Sequence, residues 1–367
     1  MYTKRVVLTG GHAATTAIAT IEEIIRRERD WEIYWIGVRG AFEGKNIPTL
    51  ESSAIPAQGV VFHSIFAGRL QKKFTRWTIP SMLKIPVGFL HAVYLLLRIK
   101  PKVVLSFGGF AAFPVVIGSW ILRIPVIIHE QTSVVGRANK FSAPLAKKIA
   151  ISRESSARFF SKDKVVVTGN PLMTQIWEVD AKSVLSDPPV VFITGGSRGS
   201  KPVNNLIESV LPELLGKYTL IHQTGHLDFE KFKIVKNKLS KNASGRYEIY
   251  SVIDPMQMDG VYKRADIVVA RAGANTVAEI MAVGRPAILI PIPWTAYDEQ
   301  NKNAEFAKDY CDVRILAQKS AKGADLLGLI DSIAKDYKKP VSKFIPKPSP
   351  DIGAAGKLVD LVERCVR

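Results

Sequence analysis

The sequence predicts an α/β protein: two doubly wound, Rossmann-like domains with parallel sheets, facing each other across a cleft. Three observations carry that prediction. The chain has 367 residues, more than one ordinary core holds. Aliphatic, β-branched runs alternate with helical stretches along its length, the pattern of βαβ units. Each half opens with the same unit of strand, glycine pair and helix: "VVLTGGHAATTAIATIEEI" from Val6 and "VVFITGGSRGSKPVNNLIESV" from Val190.

The elements follow in order. "KRVVLTGG" is a β-branched strand entering a glycine turn, and "TAIATIEEIIRRER" repeats apolar residues at helical spacing. "WEIYWIGV" is a strand. "KVVLSFGGF" is again a strand into a glycine turn, with a helix running on through Leu122. "IPVIIHEQ" is a buried strand ending in polar residues, and "KKIAIS" and "KVVVTGNP" are further strands. "SDPP" then punctuates and the cycle restarts. "VVFITGGSRGS" is strand and turn, "KPVNNLIESVLPELL" a helix, "YTLIHQTG" and "YEIYSVI" strands. "ADIVVARAGANTVAEIMAVG" is strand, turn and helix, and "RPAILIPIP" is the last clear strand. The expected division is 1–165 for the first domain and 166–345 for the second. The amphipathic tail "DIGAAGKLVDLVERCVR", about 346–367, is expected to pack back on the first domain.

Composition narrows the class. A hydrophobic fraction of 47% suffices for two cores. Cys311 and Cys365 are far apart and lack metal-ligand spacing, which points to a reducing compartment. The apolar run in "MYTKRVVLTGG" is too short for a signal peptide. The net charge is +18, unevenly spread: no Asp or Glu occurs from Ser52 through His129. That segment carries Arg69, Lys72, Lys73, Arg76, Lys84, Arg98, Lys100, Lys102 and Arg123, interleaved with Phe66, Leu70, Phe74, Trp77 and Phe89. Cations beside aromatics read as an anionic membrane surface; the alternative is a solvated basic face over a buried helix. Nucleic acid is disfavoured, since no nucleic-acid-binding signature accompanies the charge. Val103–Leu122 is long enough to span a bilayer, but Gly108, Gly109 and Pro114 make it strand, turn and helix. A peripheral protein is expected.

The glycine turns are the candidate chemistry. "TGGH" (9–12), "FGGF" (107–110) and "TGGSRGS" (194–200) each follow a strand, where glycine lets backbone N–H groups approach a phosphate. None is a GxGxxG fingerprint or a P-loop. The sharpest signal is "ARAGANTVAEIMAVGRPAILIPIP". There Gly273 makes a turn, and Ala274, Asn275 and Thr276 open a helix. Glu279 either accepts hydrogen bonds from a ribose diol or completes a capping box with Thr276. Asp298, Gln300 and Asn303 follow the last strand, placed to hold sugar hydroxyls or merely to start an exposed helix.

"TGGH", "SFGGF", "PVIIHEQ", "TGNP", "VVFITGGSRGS", "LIHQTG", the "ARAGANTVAEIMAVG" block and "DEQNKNA" occur in the order seen in the MurG family, which the chain resembles from about residue 6 to 310. The resemblance implies a GT-B fold and an inverting glycosyltransferase. Its reaction moves N-acetylglucosamine from UDP-N-acetylglucosamine to an undecaprenyl-linked acceptor, lipid I, at the cytoplasmic face of the membrane. It implies that Thr9, Gly10 and Gly11 face both substrates and that His12 is the candidate general base. It further implies that Ser197 contacts donor phosphate, Ile253 the uracil and Gln300 the N-acetylglucosamine. Ala274, Asn275, Thr276, Val277, Ala278 and Glu279 match the donor-binding helix start, with Glu279 on the ribose. The chain departs from the pattern in several places. Thr132 stands where the family carries Asn after "HEQ", and Met173 where it carries Arg after "GNP". Arg198 replaces a glutamine beside Ser197; it either restores the lost charge at the diphosphate or points into solvent, the loss at Met173 being tolerated. No Asp-x-Asp motif ends a strand, so neither metal nor cofactor is expected. Two alternatives stay open: a GT-B transferase with another lipid-linked acceptor, or a non-catalytic sugar-nucleotide or membrane-surface binding protein.

Overall fold

β1 (Lys4–Thr9) forms because Val6, Val7 and Leu8 make a continuous apolar run, fully buried on both faces as a central parallel strand requires. The structure, a computed structural model, describes residues 4–11, 13–42, 45–68, 78–337 and 348–366. His12, Lys72, Lys73 and Arg76 lie outside the described residues. The chain divides into two units, residues 1–173 with 350–367, and residues 174–349.

The first unit continues through β2 (Trp31–Gly37), β3 (Gly40–Phe42), β4 (Lys45–Pro48), β5 (Val61–Ser64), β6 (Val103–Ser106), β7 (Val126–Glu130), β8 (Lys148–Ile151) and β9 (Val165–Val167). Among the described residues its main sheet runs β5-β2-β1-β6-β7-β8-β9, every neighbouring pair parallel. The helices are α1 (Ala14–Arg26), α2 (Leu50–Ala54), α3 (Thr78–Ile99), α4 (Ala112–Ile121) and α5 (Arg137–Ser142). Ala92, Leu95, Leu96 and Ile99 of α3 share a core with Val115 and Val116 of α4 and with Val104 and Ile128 of the sheet. The uncharged stretch Val103–Leu122 is thus strand, turn and helix. No helix among the described residues is long and apolar enough to cross a membrane.

The second unit holds β10 (Val190–Thr194), β11 (Thr219–Gln223), β12 (Tyr247–Tyr250), β13 (Ile267–Ala270), β14 (Ala287–Leu289) and β15 (Val313–Ile315). They form a parallel sheet ordered β12-β11-β10-β13-β14-β15. Its helices are α6 (Thr174–Trp177), α7 (Lys201–Glu208), α8 (Leu211–Lys217), α9 (Phe229–Asn237), α10 (Lys241–Gly245), α11 (Met258–Arg264), α12 (Ala274–Val283), α13 (Glu299–Ala307) and α14 (Gly323–Tyr337). The run "RPAILIPIP" is not the last strand. It ends at Leu289, because Pro291 and Pro293 cannot donate to a ladder, and β15 then adds at the edge through Ala287–Val313 and Leu289–Ile315. Three residues with Arg314 at the centre carry too little alternation to announce a strand.

α15 (Ala354–Val366) belongs to the first unit. Its buried stripe includes Leu358, Val359, Leu361 and Val362, and its polar side meets α1, where Arg27 donates to the carboxylates of Asp360 and Glu363 and to the Gly356 carbonyl. The segment leading into it is pinned by Asp351. This wholly buried carboxylate accepts two parallel bonds from Arg153 at 2.6 and 2.7 Å and one from the Asn170 amide at 2.7 Å.

Candidate functional site

In each sheet the strand order reverses about the first strand of the unit: β1 lies between β2 and β6, and β10 between β11 and β13. Ligands of open parallel sheets bind beyond the carboxyl ends of strands at such a switch point. The glycine turns expected from sequence stand there: Gly10–Gly11 after β1, Gly108–Gly109 after β6, Gly195–Gly196 after β10 and Gly273 after β13.

In the first unit these turns touch. The Gly11 amide donates to the Gly108 carbonyl at 3.0 Å. A Cβ on Gly109, where φ is +89°, would come within 2.9 Å of the Gly11 nitrogen, so two backbones approach as only glycine permits. Thr9 lies beneath this floor: it is fully buried and its hydroxyl donates to the Ile36 carbonyl at 2.7 Å. Thr132 is half-buried at the end of β7 and tied to Glu130 through both its amide (3.2 Å) and its hydroxyl (3.0 Å). Glu130 is itself buried and also accepts from the Gly136 amide and Asn139 Nδ2, each at 3.0 Å. Burial pushes its carboxyl up from the ordinary value, against the pull of those donors. His129 is wholly buried, with Nε2 3.0 Å from the Gly169 carbonyl; burial pushes it down to about 4, so it is neutral. Met173, standing where an arginine was expected, is a buried core residue.

In the second unit the loops beyond β10, β12, β13 and β14 converge. Ser197 and Arg198 occupy the turn between Gly196 and Gly199, half-buried. Gly199 lies against Thr224 and Gly225, and a Cβ there would meet the Thr224 carbonyl at 2.2 Å. Ser200 caps α7 by position without bonding it, because its hydroxyl accepts from Arg271 Nε at 2.8 Å. Arg271 also donates to the Ile290 carbonyl (2.8 Å) and to Gln318 Oε1 (2.6 Å), so one buried guanidinium holds three loops. Burial lowers its pKa to about 10, which leaves it charged. Gln223 makes a second brace: Nε2 donates to Thr194 Oγ1 at 2.9 Å, and Oε1 accepts from the Ile253 amide at 2.8 Å. Thr194 Oγ1 accepts in turn from the Gly196 amide at 2.9 Å.

α12 starts at Ala274, and its cap, Gly273, provides no side-chain bond to the backbone N–H groups of the first turn. Val277 and Ala278 are buried. The capping-box alternative for Glu279 does not hold, because Glu279 is the sixth helical residue and only 7% exposed. Its Oε2 accepts from the Tyr262 phenol at 2.9 Å, and burial pushes the carboxyl up to about 7. Gln300 uses Oε1 to accept from the Ile292 amide at 3.0 Å, which leaves its amide nitrogen as donor. Asn303 donates to the Ala272 carbonyl at 3.1 Å. Among the described residues no group of three His, Cys, Asp or Glu side chains could hold a metal ion.

Sequence reasoning assigned no role to Gln223, Tyr262, Arg271 or Glu130. Gln223 stood in the noted motif "LIHQTG" and Arg271 in "ARAGANT". Tyr262, on an otherwise ordinary amphipathic helix, offered no signal.

Residues 7–151 match the glycosyltransferase family 28 N-terminal domain, and residues 190–349 its C-terminal domain. The chain is similar to the UDP-N-acetylglucosamine–N-acetylmuramyl-(pentapeptide) pyrophosphoryl-undecaprenol N-acetylglucosamine transferases of Listeria monocytogenes and Halalkalibacterium halodurans. Against the first it is 32% identical, with 96% of each chain covered, and against the second 33% identical, with 98% of each covered. Among solved structures, Acinetobacter baumannii MurG shares the fold at a TM-score of 0.64 and 22% identity, covering 98% of this chain and 99% of that one. A Neisseria meningitidis UDP-GlcNAc 2-epimerase bound to UDP-GlcNAc shares it at 0.69 and 13% identity, covering 98% and 100%.

Proposed function

The chain belongs to the MurG family of glycosyltransferase family 28, with the GT-B fold, and from that premise we propose that it assembles lipid II. It is a hexosyltransferase that moves N-acetylglucosamine from UDP-N-acetylglucosamine to undecaprenyl-pyrophosphoryl-N-acetylmuramoyl-pentapeptide, a step of peptidoglycan synthesis.

The observation that carries this reading is the helix start Gly273–Glu279 beyond β13 at the switch point of the second sheet. The first-turn backbone N–H groups and the positive end of α12 suit a diphosphate, and a carboxylate one turn further in suits a ribose diol. Ser197 and Arg198, just ahead of α7, add a hydroxyl and a cation for the same anion. The segment at Ile253, braced through Gln223, receives the uracil, and the Gln300 amide nitrogen serves the sugar.

The reaction forms one bond and breaks one. An acceptor hydroxyl attacks the anomeric carbon from the face opposite UDP, so configuration inverts. The bond from that carbon to the diphosphate oxygen breaks, and UDP leaves with the electron pair. His12 takes the hydroxyl proton; the ordinary imidazole pKa of about 6.5 suits that task. Preorganised N–H dipoles at α7 and α12 stabilise charge growing on the diphosphate.

The acceptor is lipid-borne, so the enzyme works at a membrane surface. Support comes from the acid-free stretch Ser52–His129 and from α3, whose Val87, Leu90, Tyr94 and Leu97 form an exposed apolar stripe with Arg98 and Lys100 beside it. The protein is read as peripheral, on the cytoplasmic face.

UDP release from UDP-N-acetylglucosamine, measured with and without lipid I, tests the reading. Release that requires lipid I is expected. Release with a different lipid-linked acceptor moves the chain to another transferase activity, and donor binding without turnover overturns the enzymatic reading.

A further inference from the structure

Tyr262 and Glu279 are both buried, on different helices, and joined by one 2.9 Å hydrogen bond. The tyrosine ring is held edge-on by Phe192 of β10, centroids 5.8 Å apart at 87°, so the hydroxyl has little freedom. Burial holds the phenol far above its ordinary pKa, so it remains a donor throughout the working pH range. A carboxylate on an aliphatic stem otherwise turns readily about its terminal torsion. With Oε2 engaged, that rotation is fixed and Oε1 is left to accept from a ligand. α11 also begins a few residues after Ile253, so the tyrosine links the segment read as receiving the base to the carboxylate read as receiving the ribose.

We propose that Tyr262 is a positioning residue of the nucleotide site, orienting Glu279 through this hydrogen bond and so setting the preference for a ribonucleotide carrying an intact 2′,3′-diol. The proposal rests on the reading that Glu279 accepts from the ribose. Tyr262 touches no substrate; it acts through Glu279.

The test is calorimetric titration of the full chain with UDP and with 2′,3′-dideoxy-UDP, alongside thermal melting. Wild type is expected to prefer UDP by at least roughly tenfold, the worth of one hydrogen bond to a charged group. Tyr262→Phe should shrink that preference to below about threefold, by losing affinity for UDP while affinity for the dideoxy nucleotide barely moves. A general structural defect would instead weaken both ligands alike, and that outcome overturns the proposal. A wild type without the preference removes the Glu279 reading, and the proposal falls with it. A preference kept intact in Tyr262→Phe leaves the Glu279 reading standing and sinks the proposal alone. Should Tyr262→Phe fail to fold because it strands a buried carboxylate, Tyr262→Phe/Glu279→Gln decides. Its nucleotide preference should equal that of Glu279→Gln alone, because coupled sites do not add, and a further loss in the double variant overturns the proposal.

Discussion

Glu279 shows how one buried group couples chemistry to pH. Burial raises its carboxyl to about 7, so the site holds a neutral acid below that pH and a carboxylate above it. A ribose diol donates two hydrogens and needs the carboxylate. Affinity for UDP should therefore rise as pH climbs through about 7 and level off once the proton is gone. Titrations between pH 6 and 8 check this: Glu279→Gln should show only the titration of UDP itself, and a wild type as flat as the variant would remove the carboxylate from the site. His12 belongs to the same scale. His12→Ala should lower kcat by roughly 10²–10⁴ with UDP affinity nearly unchanged, and activity within about threefold of wild type would strip it of the base role. Gly109 and Gly199 were legible from sequence because a positive φ and a close backbone contact admit little else there. The Tyr262–Glu279 bond was not, because its ends lie 17 residues apart on different helices and helical periodicity says which face is buried, not what it meets.

At the level of elements, the loops proposed to hold the donor stand or fall together. Gly199 has φ of +73°, and a Cβ there would press on the Thr224 carbonyl at 2.2 Å. Gly199→Ala must move the turn carrying Ser197 and Arg198. UDP affinity should fall at least tenfold by fluorescence titration, and the backbone strain should lower the melting temperature by a few degrees; unchanged UDP affinity would detach this turn from the nucleotide. The Asp351 clamp acts on the first unit. Asp351→Asn leaves the buried Arg153 guanidinium without its counter-charge and should cost about 3–5 kcal/mol in denaturant unfolding. A loss below about 1 kcal/mol would make the pair incidental. The strand–turn–helix units were readable because each repeats a local pattern, and the C-terminal helix because its apolar stripe is regular. The partners of Asp351 were not, since Arg153 lies 198 residues away in sequence.

Across the whole molecule the net charge of +18 and the acid-free stretch Ser52–His129 bear on where the enzyme works. Vesicles containing anionic lipid should bind the protein and release it as salt rises, each cation near the surface contributing about 1 kcal/mol. Reversing Lys72, Lys73 and Arg76 to Glu should cut that binding and leave UDP affinity alone. Equal sedimentation with neutral and anionic vesicles would count against the electrostatic reading. By itself the sequence determined the two doubly wound sheets, the strand ends at which glycine turns fall, and the strand–turn–helix segment around Gly273–Glu279. Those features are written in local terms: alternation of strand and helix, conformations that only glycine tolerates, and a motif contiguous in the chain. The tertiary structure alone decided which side chains meet: Tyr262 with Glu279, Gln223 bridging Thr194 and Ile253, Arg271 joining Ser200, Ile290 and Gln318. Such contacts depend on strand order and register, which bring distant segments to one sheet edge, and no local pattern records that order.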